Sequence, residues 1–258
     1  MPSWFDDLVA CRKEEVIRAK RDLPLARIQQ RISGWPPPRD FAGSVRQGSG
    51  IIALFKRASP YQGSLRERAD GAAFARSVEQ GGASAIAVVT EQSFFKGSLD
   101  DLERIRRSAA LPVLRLDLHW EEYQIFESRL WGADAVWLIA GLLTPSQLKA
   151  LLDAARSLTL AVPVEVHDRK ETAKALKAGA DILALNLRET GASELHKRKA
   201  LELGPAIPRG TLKLIAGGIK AREEIEEYKK VGFAGFIVGE HLMLSKSPGE
   251  ALRKLWSE

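Results

Sequence analysis

Leu148-Lys-Ala-Leu-Leu-Asp-Ala-Ala-Arg156, then Val162-Pro-Val-Glu-Val166, then Glu171-Thr-Ala-Lys-Ala-Leu-Lys-Ala-Gly179, then Ile182-Leu-Ala-Leu185: the chain from 148 to 185 spells helix, strand, helix, strand. The longer segments set apolar residues three and four apart, as an amphipathic helix does. The shorter runs are apolar almost throughout, the composition of parallel strands buried on both faces. Gly179 stands where a helix must stop before the next strand, and glycine enters the left-handed cap without a Cβ penalty. The same unit recurs outward in both directions. Strand-length runs lie at Ile51–Phe55, Ala85–Val89, Pro112–Leu116, Ala135–Ile139, Leu212–Ile215 and Gly235–Val238, and Gly132 and Gly232 punctuate like Gly179. Eight such units predict an α/β fold, a closed (β/α)8 TIM barrel, over an open sheet. Residues 1–48 precede the first unit and are expected to hold an extra N-terminal helix, from roughly 3 to 20, and a loop at Pro36-Pro-Pro. The whole chain, 1–258, is expected to be a single barrel domain with that extension packed on it.

The chain is 28% charged with a net charge of +6. Its basic residues alternate with acids, as in Lys220-Ala-Arg-Glu-Glu-Ile-Glu-Glu-Tyr-Lys-Lys230, the pattern of solvated helix faces. No nucleic-acid partner is expected, and no membrane partner, because no apolar run is long enough to span. Cys11 is the only cysteine, so an internal disulfide is excluded and a reducing, cytoplasmic location is expected. His119, His167, His196 and His241 show no ligand spacing, so neither metal nor other cofactor is expected. A monomer is expected.

Several segments, in order along nearly the whole chain, resemble indole-3-glycerol phosphate synthase. They are Pro36-Pro-Pro-Arg-Asp-Phe41, Ile51-Ile-Ala-Leu-Phe-Lys-Arg-Ala-Ser-Pro60, Val88-Val-Thr-Glu-Gln-Ser-Phe-Phe-Lys-Gly-Ser-Leu99, Pro112-Val-Leu-Arg-Leu-Asp-Leu118, Val164-Glu-Val-His-Asp168, Asn186-Leu-Arg188 and Val238-Gly-Glu-His-Leu-Met243. The resemblance implies closure of an indole ring on a ribulose-like phosphate ester, with loss of CO2 and water. It implies an acid–base set of a lysine on strand 3, glutamates on strands 1, 5 and 7, and an asparagine on strand 6. This sequence departs from that pattern at three places. Leu54 stands for the strand 1 glutamate, Leu116 for the strand 3 lysine, and Ala216-Gly217 for the strand 7 Glu-Ser. Glu165, Asn186, Arg188 and Lys56 remain. Leucine and alanine carry no titratable proton, so the family's reaction is expected to be crippled.

Alternation along the strands sends Leu54, Leu116, Leu118, Trp137, Ile139, Leu214, Ala216 and Ile237 inward, leaving Glu165 in an apolar pocket. Desolvation there is expected to raise its pKa and strengthen it as a base. Trp137 is expected to offer a stacking face for a small aromatic substrate. The pair resembles the site of designed Kemp eliminases, so the leading expectation is a redesigned barrel opening a benzisoxazole by proton abstraction. Three others stay open: a divergent natural indole-3-glycerol phosphate synthase, a Schiff-base retro-aldolase using Lys56, and a non-catalytic scaffold. Phosphate or sulfate is expected near Lys56, Gly218 and Gly239, held largely by backbone N–H groups. His167 and Asp168 are read as a solvated loop and a weaker base pair.

Overall fold

The computed structural model describes residues 3–60, 62–187 and 197–257. The barrel strands are β1 (Ile51–Phe55), β2 (Ala85–Val89), β3 (Val113–Leu116), β4 in two pieces (Ala135–Val136 and Leu138–Ile139), β5 (Pro163–Val166), β6 (Ile182–Asn186), β7 (Leu212–Ala216) and β8 (Gly235–Val238). All pair in parallel. The first piece of β4 pairs with β3 and the second with β5, so both ends of the sheet are one strand and the barrel closes. The switch falls at Trp137, whose backbone N–H still donates to the Arg115 carbonyl. Gly132, Gly179 and Gly232 have φ of 87°, 94° and 91°, the left-handed turn read from the sequence.

The extension is richer than one helix and a loop. It contains α1 (Ser3–Asp22), α2 (Leu25–Ile32) and α3 (Phe41–Gln47). The two short helices were missed because eight residues or fewer show barely two turns of periodicity. Each has a distinct seat. α3 inserts Phe41 and Val45 among the residues of the barrel interior and plugs its N-terminal end. α2 buries Ile28 against Tyr123 and Phe126 of α4 (Glu122–Leu130). α1 lies across the opposite, C-terminal mouth, where Phe5 and Leu8 meet Leu118. The link from α2 to α3 is tied down by Arg39, whose guanidinium donates to the Ala109 and Leu111 carbonyls at 2.7 Å each. Its backbone N–H donates to Asp134 Oδ1 at 2.8 Å. Lys213 points out of the barrel, as expected, and donates to the Gly204 carbonyl.

Candidate active site

The barrel interior is filled by Ile52, Ala87, Leu114, Trp137, Ala184 and Leu214, with Leu54, Leu116, Ile139, Ala216 and Ile237 above them. This is the inward phase expected from alternation. Above the fill, at the C-terminal mouth, opens a pocket of about 220 Å³. Leu54, Lys56, Leu116, Leu118, Trp137, Ile139, Glu165, Asn186, Ala216, Gly218, Ile237 and Gly239 all line it. Arg188 lies outside the described residues, and so does its pairing with Glu165. Leu118, two residues past the end of β3, also packs against Phe5 and Leu8 of α1.

Side chains that the sequence reading did not place also line the pocket, among them Trp4, Phe5 and Leu8 from α1, and Phe95 from the loop after β2. The apolar stripe at positions 4, 5 and 8 shows that this face needs a partner, but not that the partner is the mouth. Trp4 and Phe94 approach with ring centroids 6.0 Å apart. The loop is held by Glu91, whose carboxylate accepts from the backbone N–H groups of Ser93 (2.7 Å), Phe94 (2.8 Å) and Phe95 (2.9 Å). Burial nevertheless pushes the Glu91 carboxyl up from its ordinary value.

Glu165 is where the structure corrects the sequence reading. It is not a lone carboxylate. Trp137 Nε1 donates to Oε2 at 2.7 Å and Asn186 Nδ2 donates to Oε1 at 2.9 Å. His167 Nε2 lies 3.1 Å from Oε1 and forms an ion pair with it. Burial alone would raise this carboxyl, but His167, Asn186 and Trp137 together hold its pKa below the ordinary value. The raised pKa expected from an apolar pocket therefore gives way to a lowered one. His167 is the residue that sequence reasoning undervalued. Its Nδ1 lies 3.1 Å from Glu171 Oε2, so the ring sits between two carboxylates. Burial opposes the charge, yet Glu165 and Glu171 lift the imidazole to about 10. Asp168 does not join this group: it caps α5 (Arg169–Ala178) by accepting from Glu171 N.

Trp137 also changes role. It is 1% exposed, and its N–H is committed to Glu165. The residue thus supports the carboxylate, a role the sequence reading did not give it, and it still lines the pocket where the stacking face was expected. Lys56 Nζ sits 3.0 Å from Glu240 Oε1. An amine held in an ion pair must leave that partner before it can attack a carbonyl. Gly218 and Gly239 do border the same pocket, and Gly217 and Gly218 take left-handed φ of 90° and 76°. The helix after Gly239, α6 (Glu240–Met243), is a single turn. Any anion held there would rest on backbone N–H groups and not on a long helix.

Beneath α1 lies a buried ionic cluster. Arg115, fully buried on β3, donates to Asp117 Oδ2 at 2.9 Å and to Glu127 Oε2 at 2.9 Å. Arg12 of α1 reaches the same aspartate, Nε to Oδ1 at 3.1 Å. Burial would raise Asp117, but Arg12 and then Arg115 hold it well below the usual carboxylate range. Among the described residues no group of three or more histidine, cysteine or acidic side chains gathers to hold a metal, and no helix is long and apolar enough to cross a membrane.

The fold alone has wide company. A 3-hexulose-6-phosphate synthase superposes with a TM-score of 0.65 at 15% identity, covering 81% of this chain and 98% of that one. A mutant tryptophan synthase α-subunit of Pyrococcus furiosus does so at 0.60 and 13%, covering 81% and 98%. Sequence narrows the field. Indole-3-glycerol phosphate synthase of Sulfurimonas denitrificans is 37% identical over 256 residues, 97% of each chain. That of Variovorax paradoxus is 37% identical over 99% of this chain and 100% of its own. The family model described as indole-3-glycerol phosphate synthase matches residues 5–255, and with nearly all of α1, the closed barrel and the mouth pocket inside that match, this chain belongs to the indole-3-glycerol phosphate synthase family.

Proposed function

We propose that this chain is a natural, divergent member of its family: a lyase that works at the C-terminal mouth on an aromatic ring carried by a phosphorylated polyol. The observation that carries the reading is the arrangement around Glu165. A carboxylate at the end of β5, set by Asn186 from β6 and Trp137 from β4, faces a pocket bordered by the glycines after β7 and β8. Identity of about 37% spread along the whole length supports a natural paralogue. A redesigned barrel would keep most of its parent's sequence and differ at the pocket.

The chemistry is slow on this reading. Leu54, Leu116 and Ala216 line the pocket where acid–base groups are expected, and each missing group removes a factor of roughly 10²–10⁴. Glu165 stays charged and serves to stabilise or accept a proton, while the imidazolium of His167 holds it in that state. Base-only opening of a benzisoxazole is the weaker reading, because its premise was a Glu165 with no donors. The test is incubation with 1-(2-carboxyphenylamino)-1-deoxyribulose 5-phosphate under indole fluorescence. Formation of indole above the enzyme-free background, returning to background in Glu165→Gln, supports the proposal. No turnover together with no binding of any aromatic polyol phosphate overturns it.

A further inference from the structure

We propose that a second ligand site lies beside the mouth, in the groove between α6 and the helix α7 (Pro248–Trp256), and that it takes a small organic phosphate: an apolar body with a phosphate at one end. The groove has a volume of about 530 Å³, within the roughly 300–1,000 Å³ of small-molecule sites. It is a separate space from the mouth pocket. Lys220, Glu240 and His241 border both, and the single turn of α6 stands between them. That wall is fixed in place. Leu242 and Met243 are buried, and Glu240 is tied on both oxygens, Oε1 by Lys56 Nζ at 3.0 Å and Oε2 by Gln62 Nε2 at 2.9 Å.

The lining sets the chemistry. Lys220, Lys246 and Lys254 bring three ammoniums to the groove. Among the described residues none of the three is in an ion pair. Glu240 is already engaged by Lys56, which leaves the Glu250 carboxylate against three cations. The surplus is two positive charges, which a phosphate monoester dianion matches and a lone carboxylate does not. Like charges gathered around one groove repel each other, and an anion set among them relieves that repulsion. The rest of the lining is not charged. Leu244 is 62% exposed and shares the groove with Ala251. A single exposed leucine on a convex surface needs no explanation. Set in a cavity bordered by lysines, it offers apolar contact to a ring or short chain that the anion carries.

Phenyl phosphate is the probe, titrated into 15N-labelled protein and read on the backbone amide signals. Amides between 244 and 254 are expected to shift and saturate with a dissociation constant of about 1 mM or tighter. Amides of residues 216–219 report on the mouth separately in the same titration. Lys246→Glu combined with Lys254→Glu, both at exposed positions, is expected to weaken the groove titration at least ~10-fold and to leave that of the mouth as in the wild type. Inorganic phosphate is expected to bind the groove more weakly than phenyl phosphate in the wild type, and equally well in Leu244→Ser. No shift between 244 and 254 at ~10 mM probe overturns the proposal, as does a titration there that the charge reversal leaves unchanged. Equal binding of phenyl phosphate and inorganic phosphate in the wild type overturns it too. Each of these results leaves the proposed function standing, because that reading concerns the mouth.

Discussion

Replacing His167 by glutamine removes the positive charge between Glu165 and Glu171 and leaves a polar side chain in its place. The folded protein holds this imidazole near pKa 10, against ~6.5 in an unfolded chain. A folded pKa above the unfolded one contributes stability that is fully present below pH ~6.5 and is lost as pH rises through about 10. At roughly 1.4 kcal/mol per pH unit the ceiling is about 5 kcal/mol, and the sharing of one proton among three coupled groups keeps the true figure below it. The advantage of wild type over His167→Gln is therefore expected to be largest at pH 6 and to shrink by up to about 3 kcal/mol between pH 7 and pH 9. Denaturant unfolding of both proteins at each pH measures it, and the difference between them cancels the tyrosines and lysines that titrate in the same range. Proton NMR of the His167 ring gives the pKa directly. Titration of His167 near its ordinary value, or a difference in stability that does not change with pH, would refute the ion-paired arrangement.

Glu165 runs the opposite way. Its depressed pKa contributes stability above the ordinary carboxylate value that is lost as pH falls through the folded one, so Glu165→Gln is expected to level the acid limb of the unfolding profile. Trp137→Phe keeps an aromatic ring and deletes the donor to Oε2; a cost of about 1–3 kcal/mol in unfolding free energy and a rise in the Glu165 pKa are expected, the latter read by carboxyl 13C NMR. Arg12→Met strips Asp117 of one of two cations in a buried setting. The expected loss is about 3–5 kcal/mol, with hydrogen exchange quickening in α1 first, and unchanged protection of α1 would count against the clamp.

The barrel was legible because its signals are local and repeated. Short apolar runs, helix periodicity and glycine caps each needed only a few neighbouring residues, and Gly132, Gly179 and Gly232 then took the conformation that glycine allows. The inward phase of Leu54, Leu116 and Ala216 followed from the same alternation. The electrostatics of Glu165 were not legible, because the decisive partners come from elsewhere. Trp137 and Asn186 arrive from neighbouring strands, and the second carboxylate on His167 comes from α5. Val-Glu-Val-His places His167 two residues past Glu165, on the same face of an extended chain, which is the one cue that was available. The lid residues Trp4, Phe5 and Leu8 depend on where α1 docks, and that is set by Arg12 finding Asp117 across 105 positions of sequence.

The leucines and alanine on the pocket wall have a consequence for how such a protein changes over generations. Charged groups held together in a dry site carry a desolvation cost, and well-packed apolar residues of similar volume often leave a protein as stable or more so. With Leu54, Leu116 and Ala216 on the pocket wall, a single substitution to an acid or base would place a charge among apolar neighbours. Stability then disfavours the first step before any regained chemistry can favour it. The wall thus acts as a ratchet: exchanges among apolar residues are open to it at little cost in stability, while the first charged residue is disfavoured.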